Sequence, residues 1–157
     1  MTDSAEARLA ALGITLPQAS SPAAKYTNAV EVNGLLFVSG KAPSALNGVA
    51  PRGKLGAEFT TGQGYEYARQ AGIEVLAVVR AALGSLDRVE RVVKIQGFVN
   101  AAPQFAEHHK VLDGCSDLMI AVFAERGVHA RSVLGAASLR DNLPIVIDSI
   151  FQIRTDG

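Results

Sequence analysis

The chain has 157 residues, of which 48% are hydrophobic and 19% are charged, a composition typical of a globular domain rather than of a disordered chain. Its 15 basic residues balance its 15 acidic residues, and the resulting net charge of zero argues against a broad surface that binds nucleic-acid phosphates. A single cysteine, Cys115, excludes an internal disulfide. The sequence shows no signal-peptide pattern and no apolar run of the roughly 20 residues that span a membrane, so we expect a cytoplasmic protein.

The first third of the chain predicts a short helix followed by a hairpin of two antiparallel strands. Residues 3–12 have the apolar spacing of a short amphipathic helix. Residues 27–40 alternate in polarity around Asn33 and Gly34, a pair that tolerates the positive φ angles of a tight hairpin turn. The following residues, 41–56, are rich in Gly and Pro and are expected to form a long loop.

The rest of the chain alternates between helices and strands. Apolar residues at spacings of three and four predict long helices over residues 62–84 and 102–126. Residues 89–100 lie between these helices and have the mixed polarity of a strand, and two further strands are predicted over 131–138 and 144–153.

This order of elements predicts an α+β fold in two layers, with a mixed β-sheet covered on one face by the two long helices. We expect apolar strand residues such as Val133, Val146 and Ile147 to lie on the other face of the sheet, where they would need cover. The pattern therefore also predicts self-association.

Neither a metal site nor a cofactor site is indicated. His108 and His109 are adjacent, so on a helix their side chains diverge by about 100° and cannot easily share one metal ion. Cys115 falls on the apolar stripe of the second long helix, which favours a buried structural thiol over a nucleophile.

Two charged residues stand out near the C terminus. Arg131 begins a strand and carries a fork of donors that matches a carboxylate, although the local pattern alone favours a surface arginine at the end of the sheet. Asp148 interrupts an apolar strand, so its carboxylate must be paired, hydrogen-bonded or protonated, either for structure or as part of a site.

Three stretches, in this order, resemble the YjgF/RidA (reactive intermediate deaminase A) family, whose members include proteins named L-PSP endoribonucleases. They are the hairpin sequence KYTNAVEVNGLLFVSGKAP, the sequence QFAEHH, and the ending ARS…LP…VIDSI. The resemblance covers about residues 22–153, so we expect a single RidA-like domain over 1–157, with residues 1–21 as an N-terminal extension.

Membership would imply a chorismate-mutase-like fold and a homotrimer with sites in the clefts between subunits. It would also imply a hydrolase that converts small enamines and imines, such as 2-aminoacrylate, to 2-keto acids and ammonia, without a cofactor.

The resemblance assigns substrate-binding positions. Arg131 falls on the arginine that pairs with the substrate carboxylate, and Tyr26 falls on a tyrosine that reaches across the subunit boundary. Gly40 matches the glycine of the Ser-Gly element, and Ser39 is included with it as a substrate-binding residue.

Three positions depart from the family pattern, since Val133, Val146 and His109 stand where relatives carry Cys, Glu and Asn. The carboxylate clamp is thus retained, while the glutamate that positions the attacking water is replaced by a valine, which can neither accept a proton nor orient water. For an imine or enamine deaminase we therefore expect His109 or Asp148 to be the water-positioning base, with His109 rather than His108 facing the cleft.

Two alternatives remain open. The same clamp without the glutamate is compatible with a trimer that binds a small carboxylate metabolite, such as a 2-keto acid, without turning it over. An endoribonuclease would use Arg131 and His109, but the zero net charge and the aromatic content of 6% argue against a nucleic-acid partner.

Overall fold

A mixed five-stranded sheet lies at the centre of the fold in the computed structural model, which describes residues 4–45 and 47–155. The strands are β1 (Ala29–Val32), β2 (Leu35–Lys41), β3 (Val89–Asn100), β4 (Ala130–Ala136) and β5 (Ile145–Ile153). The α-helices are α1 (Ala5–Ala11), α2 (Thr61–Leu83) and α3 (His108–Phe123), and short 3₁₀ helices span Leu86–Arg88, Ala124–Gly127 and Arg140–Asn142.

The sheet has the strand order β1-β2-β5-β3-β4, in which β3 and β4 run parallel and the other neighbours run antiparallel. The two long helices pack against each other and cover one face of this sheet. The predicted α+β class with a mixed sheet and two long helices is therefore confirmed.

The predicted hairpin is also confirmed. Asn33 and Gly34 connect β1 to β2 with φ angles of 50° and 76°, the left-handed conformation that a two-residue turn of this kind requires. The helix predicted over 3–12 spans Ala5–Ala11 and is capped by the Ser4 hydroxyl, which accepts from the backbone N–H of Ala7; residue 3 lies outside the described residues.

The second long helix is shorter than predicted. It begins at His108 rather than at residue 102, because the preceding segment makes backbone hydrogen bonds to a neighbouring loop instead of continuing a helix. The Leu55 N–H donates to the carbonyl of Asn100, the Leu55 carbonyl accepts from the N–H of Ala102, and Pro103 follows directly. At the other end, Ala124 has a positive φ of 57°, which ends the α-helix before residue 126.

The two faces of the sheet differ in their cover. Val133 and Ile147 face the helices, since Ile147 is fully buried in the core and Val133 packs against it, so the prediction that they lie on the opposite face was wrong. Val146 does point to the opposite face, because strand side chains alternate. That face, here called the open face, also carries Phe37 and Leu134, each at least 40% exposed.

No helix among residues 4–45 and 47–155 combines the length and the apolar character that a membrane crossing requires.

Candidate functional site

The predicted site residues fall into three separate places in the chain. Tyr26 and Gly40 line a cavity of about 450 Å³ at the end of β2, here called the β2 cavity. Arg131 and His109 contact each other between β4 and α3. Asp148 lies on the open face of the sheet, so one chain alone does not bring all these groups to one point.

The entrance to the β2 cavity is shaped by the segment before β1. The phenol oxygen of Tyr26 accepts a hydrogen bond from the backbone N–H of Ala23 at 3.1 Å, which fixes the ring at the cavity wall. The Ser39 hydroxyl donates to the carbonyl of Thr27 at 2.6 Å and so ties β2 to the same segment. Ser39 itself is not part of the cavity lining.

Gly40 lies at a bulge in the pairing of β2 with β5. A Cβ atom at this position would stand 2.7 Å from Cγ1 of Val146, closer than carbon atoms approach. The absence of a side chain at Gly40 therefore lets the strand pass Val146. A hydrocarbon group thus occupies the place beside Gly40 where the resemblance assigns a glutamate.

Lys41 is a cavity residue that the sequence analysis missed. Beyond the bulge it pairs with Ile147 and turns towards the helices, where it is only 4% exposed. Its Nζ donates to Asn28 Oδ1 at 2.7 Å and to Oγ and the carbonyl oxygen of Ser20 at 3.0 and 3.2 Å. Burial lowers the pKa of Lys41, and the nearby charges of Tyr26 and Glu74 partly oppose this shift.

Glu74, on α2, is a second buried charged group of the cavity wall that sequence reasoning missed. It is 5% exposed and accepts a hydrogen bond from the Ser44 hydroxyl, which in turn accepts from Gln70 Nε2 at 3.3 Å. A carboxylate inside the apolar run GIEVLAVV was the signal that could have identified it.

Two arginines complete the cavity near its opening. Arg52 donates to the carbonyl of Asp141 at 2.7 Å, and Arg140 pairs with the Asp141 carboxylate at 3.0 Å. Arg140 and Asp141 belong to the short turn between β4 and β5, a segment with no predicted role. Three cationic side chains therefore share the cavity wall with two carboxylates.

Arg131 is held by its own chain. Its Nη1 donates to Asp113 Oδ1 at 2.8 Å and to Ser116 Oγ at 3.1 Å, and its Nη2 donates to the carbonyl of His109 at 2.9 Å. The Arg131 side chain is 23% exposed and that of Asp113 is 50% exposed. The carboxylate that neutralises the arginine is thus a partly solvated group.

The two adjacent histidines have different surroundings. The side chain of His109 is exposed. His108 is half-buried, with its ring centroid 5.1 Å from that of Phe105. Its Nε2 lies only 2.6 Å from the position that a Cβ atom at Gly135 would take. Within the chain it is His108, together with Lys54, that lines a second cavity of about 470 Å³.

Asp148 and Arg131 lie on opposite faces of the sheet. Asp148 pairs with Gln96 of β3, whereas Arg131 pairs with Ile95, a core residue under the helices. Successive side chains of β3 point to opposite faces, and paired residues share a face. Partial burial raises the pKa of Asp148, while the charge of Lys94 partly opposes this shift.

The His129 imidazole, in the segment after α3, and the Cys115 thiol, within α3, have surroundings that indicate structural roles. His129 is held between the Gly127 carbonyl, 2.6 Å from Nδ1, and the Ser116 hydroxyl, 2.9 Å from Nε2. Burial raises the pKa of the Cys115 thiol to about 12, so the thiol stays protonated. Among the described residues, no group of three or more His, Cys, Asp or Glu side chains is arranged to hold a metal ion.

The chain belongs to the YjgF/RidA family, as the sequence resemblance predicted. Residues 6–148 match the family model described as "YjgF/chorismate_mutase-like, putative endoribonuclease". The chain is similar to Protein TCP17 of Trypanosoma cruzi, with 41% identity over 148 residues that cover 94% of this chain and 92% of that protein.

Two solved structures share the fold closely. The crystal structure of Atu1372 from Agrobacterium tumefaciens superposes with a TM-score of 0.86 at 39% identity and covers 95% of this chain and 92% of its own. A protein of Shewanella oneidensis MR-1, described as a "putative endoribonuclease", superposes with a TM-score of 0.91 at 30% identity, with 96% and 99% covered.

Proposed function

We propose that this protein is an imine/enamine deaminase that hydrolyses small 2-imino or 2-aminoacrylate-type carboxylates to 2-keto acids and ammonia. The observation that carries the proposal is the β2 cavity, in which the predicted residues Tyr26 and Gly40 adjoin three cationic side chains. A cavity volume of about 450 Å³ is large enough for a small metabolite, and the cationic side chains can attract its carboxylate.

The proposed active form is a homotrimer whose clefts join the β2 cavity of one subunit to Arg131 of a neighbour. The separation of Tyr26 and Gly40 from Arg131 within one chain supports this arrangement, because a small ligand cannot bridge the two regions in a single subunit. The exposed apolar residues of the open face, including Phe37 and Leu134, supply a surface for self-association.

Arg131 would bind the substrate carboxylate by exchanging it for Asp113. The half-exposed Asp113 carboxylate loses little when it returns to water, whereas a bound carboxylate can use the planar fork of the guanidinium. The hydrolysis then adds water across the C=N bond of the imine, and the carbinolamine expels ammonia to leave the keto acid.

A base must take a proton from the attacking water, and Val146 cannot do so. We assign this role to Asp148, because its raised pKa makes it a better proton acceptor than an ordinary aspartate. His109, the other predicted base, has an exposed side chain that a neighbouring subunit would have to enclose.

Ammonia release from 2-iminopropanoate generated in the assay tests the proposal. We expect wild-type protein to accelerate the release and Arg131→Ala to lower kcat/KM by at least about tenfold, because a charged hydrogen-bonded anchor is lost. Arg154→Ala is the matched control, since Arg154 pairs with Glu90 at the surface. The absence of any rate above that of buffer, for every amino-acid-derived imine tested, would contradict the proposal.

A second candidate is a small-carboxylate-binding protein without catalysis. The observation that favours it is the contact of Val146 with the Gly40 position, since a hydrocarbon group lies where the family has its water-positioning carboxylate. This candidate predicts saturable binding of 2-keto acids that Arg131→Ala weakens, together with no turnover of imines.

Endoribonuclease activity, which the family description names, has less support because the net charge is zero. RNA cleavage that persists unchanged in Arg131→Ala and in His109→Ala would indicate a contaminating nuclease.

A further inference from the structure

A chain of hydrogen bonds connects the Arg131 guanidinium to the segment between α3 and β4. Nη1 of Arg131 donates to the Ser116 hydroxyl at 3.1 Å, and the oxygen of that hydroxyl lies 2.9 Å from Nε2 of His129. The other ring nitrogen of His129, Nδ1, lies 2.6 Å from the carbonyl oxygen of Gly127. Ser116 thus links the arginine to a second, histidine side chain that does not contact it directly.

The last acceptor of this chain determines the direction of every bond in it. The Gly127 carbonyl oxygen has no proton to give, so Nδ1 of His129 carries the proton and Nε2 is the unprotonated nitrogen. Nε2 then accepts the single hydroxyl proton of Ser116, which leaves the lone pairs of Oγ for Arg131. Burial lowers the pKa of His129, the bond to Gly127 partly opposes this shift, and the charge of Arg131 adds to it, which favours the neutral ring at neutral pH.

Asp113 and Ser116, the two side chains that accept from Nη1 of Arg131, differ in their exposure. The side chain of Asp113 is 50% exposed, whereas Ser116 is 8% exposed and is held by His129. Within residues 4–45 and 47–155, three of the five N–H groups of Arg131 have an acceptor, so two remain for a ligand even while Asp113 is in place. The bond to Ser116 can therefore persist while the exposed partner of the guanidinium changes.

We propose that Ser116 and His129 are positioning residues, which hold the Arg131 guanidinium in place while a substrate carboxylate replaces Asp113. This inference deepens the proposed function, on which the binding of a carboxylate at Arg131 rests. Ser116 acts on the ligand through Arg131, and His129 acts through Ser116. A guanidinium that is already oriented loses less conformational freedom when a ligand binds, so both residues would contribute to affinity.

Side-chain NMR of the isotopically labelled full chain follows the Nη groups of Arg131 without any ligand, and Arg131→Lys assigns their signals. Rotation of the guanidinium groups merges these signals, and hydrogen bonds slow that rotation. In Asp113→Ala, which imitates the departure of the carboxylate, the Arg131 signals should stay separate. Adding Ser116→Ala or His129→Leu to this variant should merge them. Adding His129→Gln should not, because the amide oxygen can accept from Ser116.

Calorimetric titration with pyruvate measures the consequence for a bound carboxylate. Ser116→Ala and His129→Leu should each weaken pyruvate by at least about fivefold, whereas His129→Gln should stay within about twofold of the wild type. Ser149→Ala is the matched control, since it removes a hydroxyl that is also buried, with 2% of the residue exposed, and that has no hydrogen-bond partner among the described residues. It should change neither the affinity for pyruvate nor the NMR signals of Arg131.

The inference is overturned if the wild type does not bind pyruvate at about 10 mM, or if Ser116→Ala leaves the affinity unchanged. It is also overturned if Ser149→Ala weakens pyruvate as much as Ser116→Ala does, or if the Arg131 signals stay separate after both Asp113 and Ser116 are replaced by alanine. If His129→Leu does not fold, the results for Ser116→Ala decide. Failure of the proposed function is a different result, namely Ser116-dependent binding of pyruvate by a protein that releases no ammonia from imines.

Discussion

Arg131 and Asp148 stand on opposite faces of one sheet, although the strands that carry them, β4 and β5, follow each other in the chain and both pair with β3. Arg131 is in register with the buried Ile95, and Asp148 is in register with Gln96, the next residue of β3. A carboxylate anchor and a base in this arrangement cannot both contact one small molecule within a subunit. If both act on the same substrate, they must come from different subunits.

Mixing two inactive variants tests this division between subunits. In the proposed deaminase trimer, Arg131→Ala and Asp148→Asn should each lower activity by at least about tenfold when each variant is assembled alone. After random subunit exchange at equal ratio, about a quarter of the shared sites would regain both residues, so activity should rise towards about a quarter of that of the wild type. Activity that stays at the level of the separate variants, although exchange is demonstrated by mass spectrometry, would place both residues in one subunit or exclude Asp148 from the reaction.

Asp148→Asn should also stabilise the fold at neutral pH. The folded-state pKa of Asp148 is raised, so the folded protein favours the protonated carboxyl and is weakened as the pH rises through that pKa. The gain from the amide should be no more than about 1 kcal/mol, because the partly exposed carboxylate keeps part of its hydration. Urea unfolding at several pH values would show the gain near pH 7 and its disappearance below about pH 4. Glu90→Gln, at an exposed surface pair, should not reproduce this pH-dependent gain.

Local patterns predicted the elements of this fold better than the faces on which their residues lie. The Asn33-Gly34 turn and the long helices depend on neighbouring residues, so the sequence indicates them directly. The burial of Lys41 depends on a bulge at Gly40 and on the pairing of β2 with β5, which joins residues more than 100 positions apart. No local pattern contains that register, which explains why this buried lysine was not anticipated.

Glu74, unlike Lys41, could have been identified from the local sequence. A carboxylate in the apolar run of α2 was visible in the sequence and required a buried partner, just as Asp148 did. The distance between the β2 cavity and Arg131, by contrast, follows from the strand order, which places β5 and β3 between β2 and β4, and no local pattern contains that order.

Gly40→Ala should destabilise the protein through one contact. The added methyl group would lie 2.7 Å from Cγ1 of Val146, and a steric overlap of this kind in a packed region costs about 1–3 kcal/mol. Val146→Ala removes the obstructing atom and should recover part of that loss in the double variant. Guanidinium unfolding of the four proteins gives the coupling energy, and strict additivity of the two changes would show that the methyl group is accommodated elsewhere.

His129 should make stability depend on pH between about 7.5 and 5. Burial lowers the pKa of this imidazole in the folded state, and Nε2 then accepts from Ser116 while Nδ1–H donates to the Gly127 carbonyl. Because the unfolded chain binds the proton more readily, the stabilisation is complete above the unfolded pKa of about 6.5 and is lost as the pH falls towards the folded pKa. Replacing His129 with Asn should lower stability at about pH 7.5 by about 1 kcal/mol and flatten the decline towards acid, as measured by urea unfolding at each pH. Val128→Ala, a neighbouring exposed change without a titrating group, should keep the slope of the wild type, and an unchanged slope in His129→Asn would assign the pH dependence to other residues.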